Sequence, residues 1–397
     1  MRVLSLAAVA AASFASPALA QSLKSNEILS SAVVRPLAKP HPVLGADNRV
    51  HLAYELMFSN ASKMFLTIDK VEAVDPSGRV LRTMEGDHLR AMTMLYNGDG
   101  TTLPGGGTGI VFMDVSFAPD EQLPKSVAAR ITATRQGVGP DGKPGPLPPG
   151  LPVPATFTFT AGSTDVGAPA RVIEPPLRGP RWFASNGCCD RITPHRGAII
   201  TVNGVIQAPE RFAIDWEQLD EQNRMFDGEK EKLSSWKYYG APIYSVADGT
   251  VVNLWDESDE QVPGPPEPVS TEAIGGNMLV VDIGGGAYAF YAHLQRGSLK
   301  AKLGDKVKAG QVLGLLGNTG NSTAPHLHFH LMDGPSPLNS NGLPYVFPQF
   351  TSTGVVPAGE EDALEEGKAA TIEKRLTGEH RNQLPMDNQM VDFGEAP

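Results

Sequence analysis

Gly317-Asn318-Thr319-Gly320-Asn321-Ser322-Thr323-Ala324-Pro325-His326-Leu327-His328-Phe329-His330 reads as a Gly/Asn-rich turn opening onto a strand studded with histidine. Side chains on a strand alternate faces, so His326, His328 and His330 share one surface while Leu327 and Phe329 point into a core. Imidazoles side by side on a rigid strand suit a zinc site, where one ring ligates through a neutral nitrogen and a neighbour carries a proton. A lone His-x-His is more often simply hydrogen-bonded, so the reading depends on the rest of the chain.

Working outward, three further motifs precede the histidine strand in order. Tyr239-Gly240-Ala241-Pro242-Ile243-Tyr244-Ser245-Val246-Ala247-Asp248-Gly249-Thr250-Val251-Val252 reads as two short strands around an Asp-Gly turn, and it follows Arg211-Phe212-Ala213-Ile214-Asp215. A buried-strand pattern, Gly276-Asn277-Met278-Leu279-Val280-Val281-Asp282, leads to Tyr288-Ala289-Phe290-Tyr291-Ala292-His293-Leu294. Leu303-Gly304-Asp305-Lys306-Val307-Lys308-Ala309-Gly310 then gives a glycine-punctuated hairpin.

This ordered series resembles the lysostaphin-type zinc metalloendopeptidases, densely from Tyr239 to Tyr345 and more loosely back to Arg181. The resemblance implies a mostly antiparallel β metallopeptidase domain (duplicated hybrid motif) with a groove across one sheet and the metal on its floor. It implies Zn2+ as cofactor, Asp215 and His328 as metal ligands, and His293 and His326 as catalytic assistants. It implies hydrolysis of peptide cross-links in bacterial peptidoglycan by a zinc-activated water, with peptidoglycan peptides as substrate.

The family's remaining ligand is a histidine four residues before the aspartate, and here that position is Arg211. A guanidinium stays protonated and has no lone pair for zinc, and a catalytic zinc ordinarily has three protein ligands. The nearest substitute is His195, twenty residues before Asp215. Between them, Ala198 to Ile206 looks like a hairpin around Asn203-Gly204, which would return the chain to its start and set His195 beside Asp215. Should the site not close, the alternative is a degenerate member of the family, acting as a binding module or activator of another wall hydrolase. His330 has no counterpart role in the family, and His41, His51, His88 and His380 have no partner at ligand spacing.

The N-terminus reads as a secretory signal peptide over residues 1–20. Met1-Arg2 precedes an apolar run, and Ala18-Leu19-Ala20 gives a small-x-small cleavage site. That places the mature chain in a bacterial periplasm. No cysteine follows the cleavage site, so a lipid anchor is not indicated. With 33 basic against 44 acidic residues and a net charge of −11, the chain lacks the basic surplus that nucleic acid or anionic lipid calls for. Cys188 and Cys189 are adjacent, a spacing that makes a mutual bridge awkward and gives no CxxC motif.

The expected fold class is all-β. Alternating runs such as Leu52 to Phe58, Phe65 to Val74, Ile110 to Val115 and Ala155 to Thr160 suggest an N-terminal immunoglobulin-like sandwich of roughly seven strands over residues 21–162. A Pro-rich linker is expected over 163–180, the metallopeptidase domain over 181–350, and an acidic tail over 351–397. Within the tail, Met390 to Phe393 is apolar enough to dock as a strand or to plug the groove.

Overall fold

The computed structural model describes residues 27–151 and 153–394; the expected signal peptide lies outside them. The fold is nearly all β. No helix among the described residues is long and apolar enough to cross a membrane.

The N-terminal part is two sheets facing one core. A five-stranded sheet is built on Val50–Asn60 and Thr108–Phe117, and a six-stranded one on Phe65–Val74 and Ser126–Val138. Strict alternation makes them: in Ser126–Val138 the residues Val127, Ala129, Ile131 and Ala133 all point inward. Seven of the strands have five or more residues. The others, such as Thr102–Leu103 and Pro144–Gly145, are too short to carry a readable pattern.

Strand Val50–Asn60 is buried on both faces. Leu52, Tyr54, Leu56 and Phe58 enter the sandwich core, whereas Ala53 joins the second, larger core, which belongs to the C-terminal sheet. Glu55 shares the face of Ala53 and is fully buried.

That second unit is a twelve-stranded, mostly antiparallel sheet. At its centre Trp182–Ser185, Ile214–Gln218, Leu327–Met332, Tyr288–Leu294 and Asn277–Asp282 lie side by side in that order. Neither the 163–180 stretch nor, among the described residues, the tail from 351 to 394 stands apart from it. Arg171–Val172 pairs with Tyr345–Val355, and Ile173 and Leu177 are buried in the larger core. Gln389–Asp392 is inserted as a strand between Trp182–Ser185 and Tyr345–Val355, with Met390 and Val391 in that core. The reason is spacing: a few well-placed apolar residues suffice to dock a segment whose composition is otherwise acidic.

His51 lies on the inter-unit face of its strand, with Nδ1 2.9 Å from Asp114 Oδ2 and Nε2 3.1 Å from Asp47 Oδ2. Burial lowers its pKa, but the two carboxylates outweigh burial and push it up to about 10. The folded ring therefore binds its proton more tightly than the unfolded ring does at 6.5, so its stabilisation is complete below about pH 6.5 and is lost as pH rises through about 10. The thermal midpoint should fall across that window in the wild type and fall less steeply in His51→Gln; parallel profiles would contradict the assignment.

Candidate metal centre

Register places the first two donors. Asp215 and His328 are direct partners across neighbouring antiparallel strands, with Ile214 opposite Phe329 and Trp216 opposite Leu327. The apolar members fill the core beneath, so Asp215 and His328 stand together on the groove face. His328 Nδ1 lies 3.0 Å from Asp215 Oδ1.

The third donor arrives from outside the sheet. Ile200–Val202 and Val205–Gln207 form the expected hairpin, with Asn203 and Gly204 both at positive φ in its turn. Just before it, Pro194–Gly197 is a single helical turn whose Thr193 cap accepts from the Arg196 amide. This turn sets His195 Nε2 3.1 Å from Asp215 Oδ2. Donor atoms of His195, Asp215 and His328 all lie within 4.8 Å of one another. Two imidazoles, one carboxylate and an open side toward a groove of about 720 Å³ are a donor set suited to zinc.

The ring nitrogens are sorted for that purpose. His195 Nδ1 is 3.0 Å from the carbonyls of Asn186 and Ala213; carbonyls only accept, so Nδ1 carries a proton, and Nε2, the nitrogen turned toward Asp215, is the one that ligates a metal once deprotonated. His293 Nδ1 donates likewise to Thr319 O at 2.7 Å, and His326 Nδ1 to Ala324 O at 2.8 Å. Both rings border the donor set: their centroids are 4.6 Å apart, and His326 Nε2 is 3.4 Å from Asp215 Oδ1.

His293 sits at φ +64, a conformation costly for a side-chain-bearing residue, where the strand bulges opposite Asn277–Leu279. Its carbonyl partner is supplied by the Gly-rich turn. At Gly276 and at Gly320 any Cβ would collide with the backbone of the facing segment, so both positions need glycine to bring Thr319 beneath the imidazole.

Charges are distributed unevenly. Burial raises the Asp215 pKa, but His195 and His326 outweigh it and hold the carboxyl well below the usual range. Burial lowers His195, but Asp215 outweighs it and lifts the ring to about 9. His293 is held well below its ordinary value by burial and by the neighbouring His326 and His328. In chelator-treated protein, imidazole nitrogen shifts should show His195 still cationic at about pH 8 and His293 neutral at about pH 6. The opposite order would contradict this geometry.

The structure brings together all five residues singled out in the sequence: His195, Asp215, His293, His326 and His328. His330 is also engaged, its Nδ1 2.9 Å from His328 Nε2, so it fixes the orientation of the His328 ring. Its same-face spacing on the strand was the signal for this. Asn186, which donates to Asp215 Oδ2 at 3.0 Å, carried no signal in the sequence. Glu217, on the same strand face as Asp215, lines the groove, and burial lifts its carboxyl to about 8. Arg211 turns away from the centre and binds Glu55. A second cluster, His51 with Asp114 and Cys189, is weaker as a metal site because the Cys189 sulfur is bonded to that of Cys188.

Residues 235–340 match the model of Peptidase family M23. The chain carries an M23 peptidase domain. His293, His326 and His328 fall inside the match, whereas His195 and Asp215 precede it. The chain is 38% identical over 95 residues to the glycyl-glycine endopeptidase ALE-1 of Staphylococcus capitis, covering 23% of this chain and 22% of that protein. It is 48% identical over 95 residues to lysostaphin of Staphylococcus simulans, covering 23% and 16%. It is 34% identical over 101 residues to the peptidoglycan DD-endopeptidase ShyA of Vibrio cholerae, covering 25% and 20%. The chain thus spans about a fifth of the length of these relatives.

Proposed function

We propose that this chain is an exported zinc metalloendopeptidase that hydrolyses peptide cross-links of bacterial peptidoglycan, acting in the periplasm. The observation that carries the reading is the position of His195, which completes a three-donor centre with Asp215 and His328. Relatives of the M23 domain named as endopeptidases, two of them for glycyl-glycine or peptidoglycan DD bonds, support the choice of substrate.

Zinc held by His195 Nε2, Asp215 and His328 Nδ1 would acidify a water and polarise a scissile carbonyl. The protein's own part is to hold and move protons beside that point. His293 and His326 have their Nδ1 protons committed to backbone carbonyls, so Nε2 is the atom at which each takes or gives a proton, or hydrogen-bonds a developing oxyanion. The groove is open-sided, and on this reading an extended peptide would lie in it. A chain with only Asp215 and His328 would favour the competing role, a non-enzymatic activator of another wall hydrolase. His195 beside them favours hydrolysis.

His195→Ala should lose bound zinc and all turnover of purified peptidoglycan, measured by metal analysis and release of soluble muropeptides. His293→Ala and His326→Ala should keep zinc while turnover falls by about 10²- to 10⁴-fold. Unchanged zinc in the first variant, or full turnover in either of the others, would contradict the proposal.

A further inference from the structure

We propose that Glu55, on the N-terminal sandwich, is a positioning residue for the metal centre, acting through Arg211 and Arg196. The sandwich is on this account a structural part of the metal site. The inference rests on the reading of His195, Asp215 and His328 as the metal ligands.

Glu55 is fully buried and meets two buried guanidinium groups. Arg211 Nε lies 3.0 and 2.9 Å from the two carboxylate oxygens, and its Nη1 donates to Gly342 O at 3.0 Å. Arg196 Nη2 is 3.6 Å from Glu55 Oε1, while its Nη1 donates to Cys189 O at 2.8 Å and Nη2 to Met113 O at 3.4 Å. Water does not reach this cluster, so displacing Glu55 strands two uncompensated guanidinium charges. The three groups therefore hold a narrow geometry.

Both arginines lie on the chain segments that carry proposed metal donors. Arg196 follows His195 directly on the single helical turn Pro194–Gly197. Arg211 is the second residue of the turn from Glu210 to Ala213; the Ala213 amide bonds to Glu210 O and the Ala213 carbonyl accepts from His195 Nδ1. Two residues later comes Asp215. One carboxylate thus pins the two segments that deliver the His195 and Asp215 donors, and His195 Nδ1 ties those segments together. His328, on the sheet itself, is positioned independently by strand pairing. The arginine at 211 is put to use as an anchor for the centre, with no contact to it.

The test compares metal affinity and thermal stability in the full chain, using competition with a chromophoric chelator for zinc and the visible spectrum of the cobalt-substituted protein. The variants are Glu55→Gln, Arg211→Lys and Ile131→Ala. Ile131 lies in the sandwich core and touches none of these groups, so its variant supplies loss of stability without loss of the anchor. The expected result is a 10- to 100-fold weaker zinc affinity in Glu55→Gln, about 10-fold in Arg211→Lys, an altered cobalt spectrum in both, and wild-type affinity in Ile131→Ala at a matched fall in Tm. If Glu55→Gln does not fold, Arg211→Lys, which keeps the charge, carries the same comparison. Wild-type affinity and spectrum in the anchor variants would overturn the inference, as would an equal loss in Ile131→Ala. A wild-type chain that binds no zinc would instead overturn the metal reading beneath it.

Discussion

The pairing of Asp215 with His328 across adjacent antiparallel strands is the constraint on which the centre depends. Because side chains alternate, a slip of one residue would turn Asp215 into the core and bring Ile214 onto the groove. What forbids the slip is the other face. Ile214, Trp216, Leu327 and Phe329 are almost wholly excluded from solvent, and burying an aromatic or branched side chain is worth about 1.5 to 3 kcal/mol each. The polar face thus inherits its register from apolar packing beneath it.

Upon that floor the remaining groups are set by backbone contacts. Thr319 O orients His293, Ala324 O orients His326, and the carbonyls of Asn186 and Ala213 orient His195. Each contact removes one of two tautomers and leaves the other nitrogen facing a common point. A site prepared in this way loses little freedom when it captures a cation, which is the general advantage of a preorganised donor set. The price is local: a left-handed backbone at His293 and glycines at 276 and 320 that no other residue could replace.

Much of this was legible in the sequence, and the parts that were not share a physical cause. Alternation identified the histidine strand, the family resemblance exposed the ligand missing at Arg211, and the Asn203-Gly204 hairpin turn then offered His195 in its place. Contacts between distant segments leave no such pattern. Glu55 sits in an apolar strand 156 residues from Arg211, and nothing local distinguishes it from a surface glutamate. His330 looked idle: its spacing put it on the face of His328, but its contact with that ring shows only once both rings are placed. The C-terminal strand Gln389–Asp392 was readable as apolar, but its slot between two strands laid down far earlier in the chain was not.

The central claim is that His195 substitutes for a ligand at position 211 and closes a three-donor zinc centre. Crystals of the protein grown with zinc, with anomalous diffraction recorded at the zinc edge, test it most directly. The account predicts a single strong peak within about 2.0 to 2.2 Å of His195 Nε2, a carboxylate oxygen of Asp215 and His328 Nδ1. A peak bonded to Asp215 and His328 but not to His195, or no peak in the groove, would contradict it.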